Sequence, residues 1–159
     1  MLEHPFAPVC REDARVLVLG TFPSVRSRAE NFYYGHPRNR FWAVLAAVYG
    51  AEIPGTAEEK RAFLYARRIA LWDVAGALTI RASADASIRD VVPSDVPGLL
   101  RRTAVTRVCA NGQTAALLYD RHLRTATGVP IVALPSTSPA NAAWGMERLV
   151  DAWRVGLLG

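Results

Sequence analysis

The chain holds two cysteines, three histidines and, among its 19 basic residues, a single lysine, Lys60. Each scarcity excludes something. Cys10 and Cys109 can make neither a disulfide framework nor a four-thiolate cluster. His4, His36 and His122 form no close pair with a cysteine, so no structural zinc site is expected. No apolar run reaches the roughly 18 residues of a membrane span. The opening MLEHPFAPVCRED lacks the basic and apolar stretches of a secretory signal. The expectation is an intracellular, metal-free protein.

What remains is ordinary globular material: 159 residues, 51% hydrophobic and 21% charged. That is one domain, 1–159, long enough to bury its own core. The net charge is +5, and 18 of the 19 basic residues are arginine. Arginine forks onto phosphate, which points to a polyanion partner. A GC-rich coding sequence would produce the same excess.

The order of elements defines the fold class. Val16–Leu19 is an apolar run ending at Gly20 and reads as a buried strand. Asn39 can cap a helix carrying Phe41, Trp42, Leu45, Val48 and Tyr49, closed by Gly50. Thr56–Glu59 reads as a capping box opening a helix through Arg68. Ile69–Trp72 is a second strand, and the composition of 74–98 reads as irregular apart from a short helix over 95–102. Val105–Ala110 and Pro130–Leu134 are further strands, with helices over 115–124 and 144–157. Alternating strands and helices predict a parallel α/β sheet with helices on both faces.

In such sheets the working loops leave the carboxyl ends of the strands. Two stand out. The loop from Thr21 to Arg38 has 18 residues, where about 2–6 are usual. The other, Pro135 to Asn141, is dense in serine, threonine and proline. The first, with the two residues that follow it, carries Tyr33, Tyr34, His36, Arg38, Asn39 and Arg40. Aromatic faces stack on nucleobases, amides read their polar edges, and arginines hold phosphates. Each residue also has a plainer reading: Phe41 and Trp42 as core, His36 as a partner for a backbone group, Asn39 as a helix cap.

The tract YGHPRNRFW (Tyr34 to Trp42) resembles the first-loop signature of the uracil-DNA glycosylase superfamily. LPSTSPAN (Leu134 to Asn141) resembles the second motif of its hypoxanthine branch, the DNA-deoxyinosine glycosylases. Ile69–Val74, Asp85–Pro93 and Ala110–Ala115 are similar as well, so the likeness spans nearly the whole chain. The resemblance implies a three-layer α/β/α sandwich around a central four-stranded parallel sheet, and hydrolysis of the bond between a damaged base and deoxyribose. It implies Asn39 and His36 as catalytic, Tyr34 as the residue stacking on the extruded base, and Thr21, Phe22 and Pro23 beside that base. It places Arg38, Arg40, Ser136, Thr137, Ser138 and Asn141 on DNA. It implies a monomer acting on DNA with deaminated bases, without cofactor or membrane, in a prokaryotic cytoplasm at the nucleoid.

One departure is informative. The mismatch-specific branch has Gly-x-Asn-Pro-Gly where this chain has Gly20-Thr21-Phe22-Pro23-Ser24. Phe22 replaces the asparagine that positions water there, and no acid lies between Gly20 and Arg28. The hypoxanthine branch takes its amide from the position of Asn39 instead. That amide either donates to the departing base or orients water; the sequence leaves both open. A lyase reaction needs an amine, and Lys60 sits in the Thr56–Arg68 helix, so a monofunctional enzyme is expected. The rival readings are a uracil or mismatch glycosylase, a non-catalytic binder of damaged DNA, and a hydrolase of free nucleosides.

Overall fold

The computed structural model describes residues 2–4, 6–23, 32–80 and 88–159. Ser24, the rest of the long loop through Asn31, and Asp85, Ala86 and Ser87 of the similar tracts lie outside the described residues. Strand β1 is Leu2–Glu3 and β2 is Val16–Gly20; helices α1 and α2 are Phe41–Tyr49 and Ala57–Ala66. Strands β3, β4 and β5 follow at Ile69–Asp73, Ala75–Ile80 and Ile88–Pro93, then α3 at Val96–Arg101. The chain ends with β6 (Arg107–Asn111), α4 (Gln113–His122), α5 (Arg124–Thr127), β7 (Ile131–Leu134) and α6 (Met146–Leu158).

Strands β3, β2, β6 and β7 form, in that order, a four-stranded parallel sheet. Its two faces are both covered, which is why β2 and β3 read as unbroken apolar runs. Val18, Leu71 and Cys109 face a core with Phe41 and Leu45 of α1 and Leu149 and Trp153 of α6. Leu17, Leu19, Ala70 and Ala110 face another with Leu99 of α3 and Ala115 and Tyr119 of α4. The result is the three-layer α/β/α sandwich. The strand that enters the sheet first, β2, has its successor β3 on one side and β6 on the other. The carboxyl ends of β2 and β6 therefore flank a topological switch point, where open α/β sheets bind ligands.

The stretch 74–98 is not irregular. It contains β4 and β5, which pair antiparallel, and β1 adds to β4 to complete a second, three-stranded sheet. Register shifts between Ala75 and Ala77 and between Ala77 and Thr79 break the period-two alternation that marks a strand. Other element boundaries move by one or two residues, within the usual scatter. Gly50 closes α1 at φ 62°, in the left-handed region. The capping box forms: Glu59 N donates to Thr56 Oγ1, and Thr56 N donates to Glu59 Oε1, each at 3.0 Å. Among the described residues no helix is long and apolar enough to cross a membrane.

The reciprocal cap predicts a measurable stability change. Thr56→Ala removes one acceptor and is expected to lower unfolding free energy by about 1 kcal/mol in urea titration. The corresponding fall in Tm is about 2–4 °C for a domain of this size.

Candidate active site

Three strands end in residues that share one face of the sheet. Gly20 pairs with Asp73 across β2 and β3, and Asn111 ends β6 next to β2. Gly20 admits close packing above it. A Cβ there would lie 2.5 Å from Asp73 Oδ1 and 2.7 Å from Tyr34 Oη. Asp73 is only 3% exposed. It accepts a hydrogen bond from His4 Nε2 at 2.7 Å. Phe6 N donates to His4 Nδ1, so the proton sits on Nε2. Burial raises the Asp73 carboxyl above its ordinary range, opposed by the His4 bond and by a backbone hydrogen bond at Gly20. The second sheet delivers His4, because His4 N donates to Gly76 O at the start of β4.

Tyr34 lies over this row. Its φ of 54° is left-handed, a conformation that costs a non-glycine residue about 1–3 kcal/mol and gathers at functional sites. Its ring stacks on Phe41 at 4.1 Å between centroids. Its hydroxyl is buried without a hydrogen-bond partner among the described residues. Burial first, then the Asp73 charge, drives its ionisation far upward, with the Asn111 side chain pulling the other way. Tyr34 is therefore a phenol at neutral pH.

The loop next turns tightly. Asn39 N donates to His36 O, with Pro37 pre-setting the turn. Arg38 N donates to His36 Nδ1, the plainer role for that histidine. Asn39 stands one residue before the helix cap, Arg40. Its Oδ1 accepts from Phe41 N at 2.9 Å and from Thr137 Oγ1 at 2.8 Å. A backbone N–H can only donate, so the atom it meets is the amide oxygen. Asn39 Nδ2 is left with its two N–H donors and no hydrogen bond to any described residue.

Thr137 belongs to the other loop and is fully buried. Its Oγ1 accepts from Asn111 Nδ2 at 2.9 Å, and its N donates to Asn111 Oδ1 at 3.0 Å. The rest of this loop is bonded to itself. Ser138 N donates to Ser136 Oγ, Ala140 N to Ser138 Oγ, and Asn141 Nδ2 to Ser136 O. Arg40 clamps it: its N donates to Thr137 O, Nη1 to Trp144 O and Nη2 to Asn141 O.

The structure thus brings Asn39, Thr137 and Asn111 into one network, with Tyr34 beside it. Phe22 sits apart with its ring edge toward His4, at 5.6 Å. Thr21 is half-buried and Pro23 buried. Two placements differ from expectation. Thr137, expected against DNA, lies in the interior because both its hydroxyl and its amide have buried partners. Arg40, expected on phosphate, holds loop carbonyls. Arg38, Pro139 and Ala140 are exposed, and Ser136, Ser138 and Asn141 are half-buried. Sequence reasoning missed His4, Asp73 and Asn111. The signal for the last two was a polar residue closing an apolar strand. Among the described residues no three His, Cys, Asp or Glu side chains are grouped to hold a metal.

The chain is thus an α/β domain of three layers, with a polar, aromatic-flanked network at the switch point where open sheets bind ligands. The model of the uracil DNA glycosylase superfamily matches residues 7–155, and the chain belongs to that superfamily. A hypoxanthine DNA glycosylase of Methanosarcina acetivorans is 35% identical over 150 residues, 93% of this chain and 94% of the relative. One from Methanosarcina barkeri is 34% identical over 91 residues, 57% of this chain and 58% of the relative. The solution NMR structure of a candidate uracil DNA glycosylase from M. acetivorans superposes with a TM-score of 0.84. It is 31% identical and covers 99% of this chain and 97% of that one.

The crowding above Gly20 generates a prediction. Gly20→Ala sets a methyl against two buried oxygens. It is expected to destabilise the fold by about 1–3 kcal/mol in chemical denaturation. A variant as stable as wild type would show that Asp73 and Tyr34 are not tightly held.

Proposed function

We propose that this protein is a monofunctional DNA glycosylase. It flips a deaminated base, hypoxanthine in deoxyinosine, out of the helix, hydrolyses its N-glycosidic bond and leaves an abasic site. Membership of the superfamily and the likeness to two hypoxanthine DNA glycosylases support the reaction and the base. The observation that carries the mechanism is the direction of the Asn39 carboxamide. With Oδ1 engaged twice, Asn39 presents donors.

Hydrolysis proceeds through an oxocarbenium-like sugar, and negative charge grows on the departing purine. A donor aimed at N7 or O6 strengthens as that charge develops. The reading therefore assigns Asn39 to the leaving base and not to the attacking water. Tyr34 is the candidate stacking face, with Phe41 fixing its ring from behind. Arg38, exposed on the turn before Asn39, is a candidate phosphate contact. An inosine pair is weaker than a normal pair, which lowers the cost of flipping.

The test is excision from oligonucleotides carrying one deoxyinosine, deoxyuridine or deoxyxanthosine, in EDTA, with alkali to open abasic sites. Deoxyinosine is expected to be cut fastest. Asn39→Ala is expected to lose about 100- to 1,000-fold in rate, the usual effect of deleting such a donor. Asn39→Asp keeps both bonds to Oδ1 but faces the leaving base with a carboxylate, so it is expected to be no faster than Asn39→Ala. Fast excision by Asn39→Asp would move the residue to the water. Faster cutting at deoxyuridine would move the chain to a uracil-directed activity. Binding without an abasic product would make it a non-catalytic binder.

The sole amine of a lysine side chain is engaged elsewhere. Lys60 Nζ, on α2, lies 5.3 Å from the ring centroid of Trp42 on α1. Borohydride added during turnover is expected to trap no protein–DNA cross-link, and no strand is nicked before alkali.

A further inference from the structure

We infer that Thr137 and Asn111 are positioning residues that fix the direction of the Asn39 carboxamide, so that the second loop sets the polarity of the group offered to the leaving base. The inference rests on the reading of Asn39 as a donor. It follows from counting protons. Both amide side chains are anchored by backbone N–H groups, which only donate: Phe41 N meets Asn39 Oδ1, and Thr137 N meets Asn111 Oδ1. The remaining atom of the Asn111 amide is its nitrogen, and it donates to Thr137 Oγ1. The hydroxyl has one proton. With Asn111 filling an acceptor position, that proton points to Asn39 Oδ1. Every bond in the chain has a forced direction.

A latch between the two loops does not require this hydroxyl. Arg40 already joins them through its backbone N–H and two guanidinium nitrogens. What the Thr137 hydroxyl adds is a second donor on Asn39 Oδ1. The terminal torsion of asparagine is broad and nearly two-fold. One hydrogen bond leaves the amide free to swing; two from different directions hold it. Full burial of Thr137 keeps solvent from supplying the second donor.

The full chain is compared in four single variants. The measurements are single-turnover excision of deoxyinosine with enzyme in excess, binding to a non-cleavable 2′-fluoro-deoxyinosine duplex, and thermal unfolding. Thr137→Val keeps the volume and loses the hydroxyl. Its excision rate is expected to fall about 100-fold, the scale of a displaced catalytic group, with binding changed far less. Thr137→Ser restores the hydroxyl and is expected to recover most of the rate. Asn111→Asp replaces the donor with a carboxylate oxygen that draws the Thr137 proton away from Asn39, so its rate is also expected to fall. Combined with Asn39→Ala, neither Thr137→Val nor Asn111→Asp is expected to slow excision further, because both act through Asn39.

A folded Thr137→Val with the wild-type rate overturns the inference, and so does a serine variant no faster than valine. So do losses that add to that of Asn39→Ala. If Thr137→Val does not fold, Asn111→Asp decides, and a wild-type rate there overturns the inference. The reading beneath it fails separately: Asn39→Ala at the wild-type rate, or a wild-type protein that releases no base, refutes the role of Asn39 itself. A dead Asn39→Ala beside fully active Thr137→Val and Asn111→Asp refutes only the positioning.

Discussion

The site depends on the direction of one proton. Thr137 Oγ1 stands between two carboxamides, one from a strand end and one from a loop 98 positions earlier in the chain. Register places it there. Asn111 pairs with Leu134 across β6 and β7, so the residues after Leu134 pass over the end of β6. The Pro135 carbonyl is fixed in turn by Trp153 Nε1 of α6 at 2.9 Å. Serine hydroxyls take up successive backbone N–H groups beyond it. The loop therefore arrives with its threonine buried and its proton already assigned. In a water-excluded setting an unmet polar group costs about 1–3 kcal/mol, which gives the network a single low-energy arrangement.

The opposite flank of the site is built on different physics. Asp73 is a buried carboxyl group whose ionised form is disfavoured by desolvation, an effect that the His4 hydrogen bond opposes without cancelling. His4 is itself enclosed by Phe6, Phe22 and Tyr33, with ring centroids 5.4, 5.6 and 5.8 Å away. Tyr34 sits between the two flanks. Held as a phenol by burial and by the neighbouring carboxylate, it keeps a hydroxyl proton to donate. In the proposed reaction, negative charge developing on a leaving base would meet proton donors on the Asn39 side, while the Asp73 carboxyl is tied back toward the N-terminal segment by His4.

Much of this was legible in the residues. Val16–Leu19 and Ile69–Trp72 read as strands because a parallel strand covered on both faces has no polar side to interrupt it. Thr56 and Glu59 announced their helix because a capping box is local. Asn39 was legible as a cap or as a catalytic amide, and its Oδ1 does meet a helix-terminal N–H. What stayed hidden is what depends on distant pairing. The bulged register of β4 erased its alternation, and with β4 went the sheet that carries His4 to Asp73. Asn111 stood only within the similar tract Ala110–Ala115, with nothing local to set it apart from its neighbours. Thr137 read as one more surface hydroxyl in a run of serines and prolines, since nothing in LPSTSPAN marks which hydroxyl is buried.

The replacement of an asparagine by Phe22 in the first motif then has a structural counterpart. In the sequence pattern it departs from, the amide stands just after the first strand. Here that position holds an aromatic ring packed edge-on against His4, and the amide proposed for the chemistry, Asn39, stands at the end of the loop, beyond the reach of β2. A side chain so far from its strand must be held by something else. Phe41 N, at the start of α1, supplies one bond, but a single bond leaves the amide plane free. The second comes from Thr137. With the amide placed farther along the first loop, its second support comes from the second loop, through the Thr137 hydroxyl.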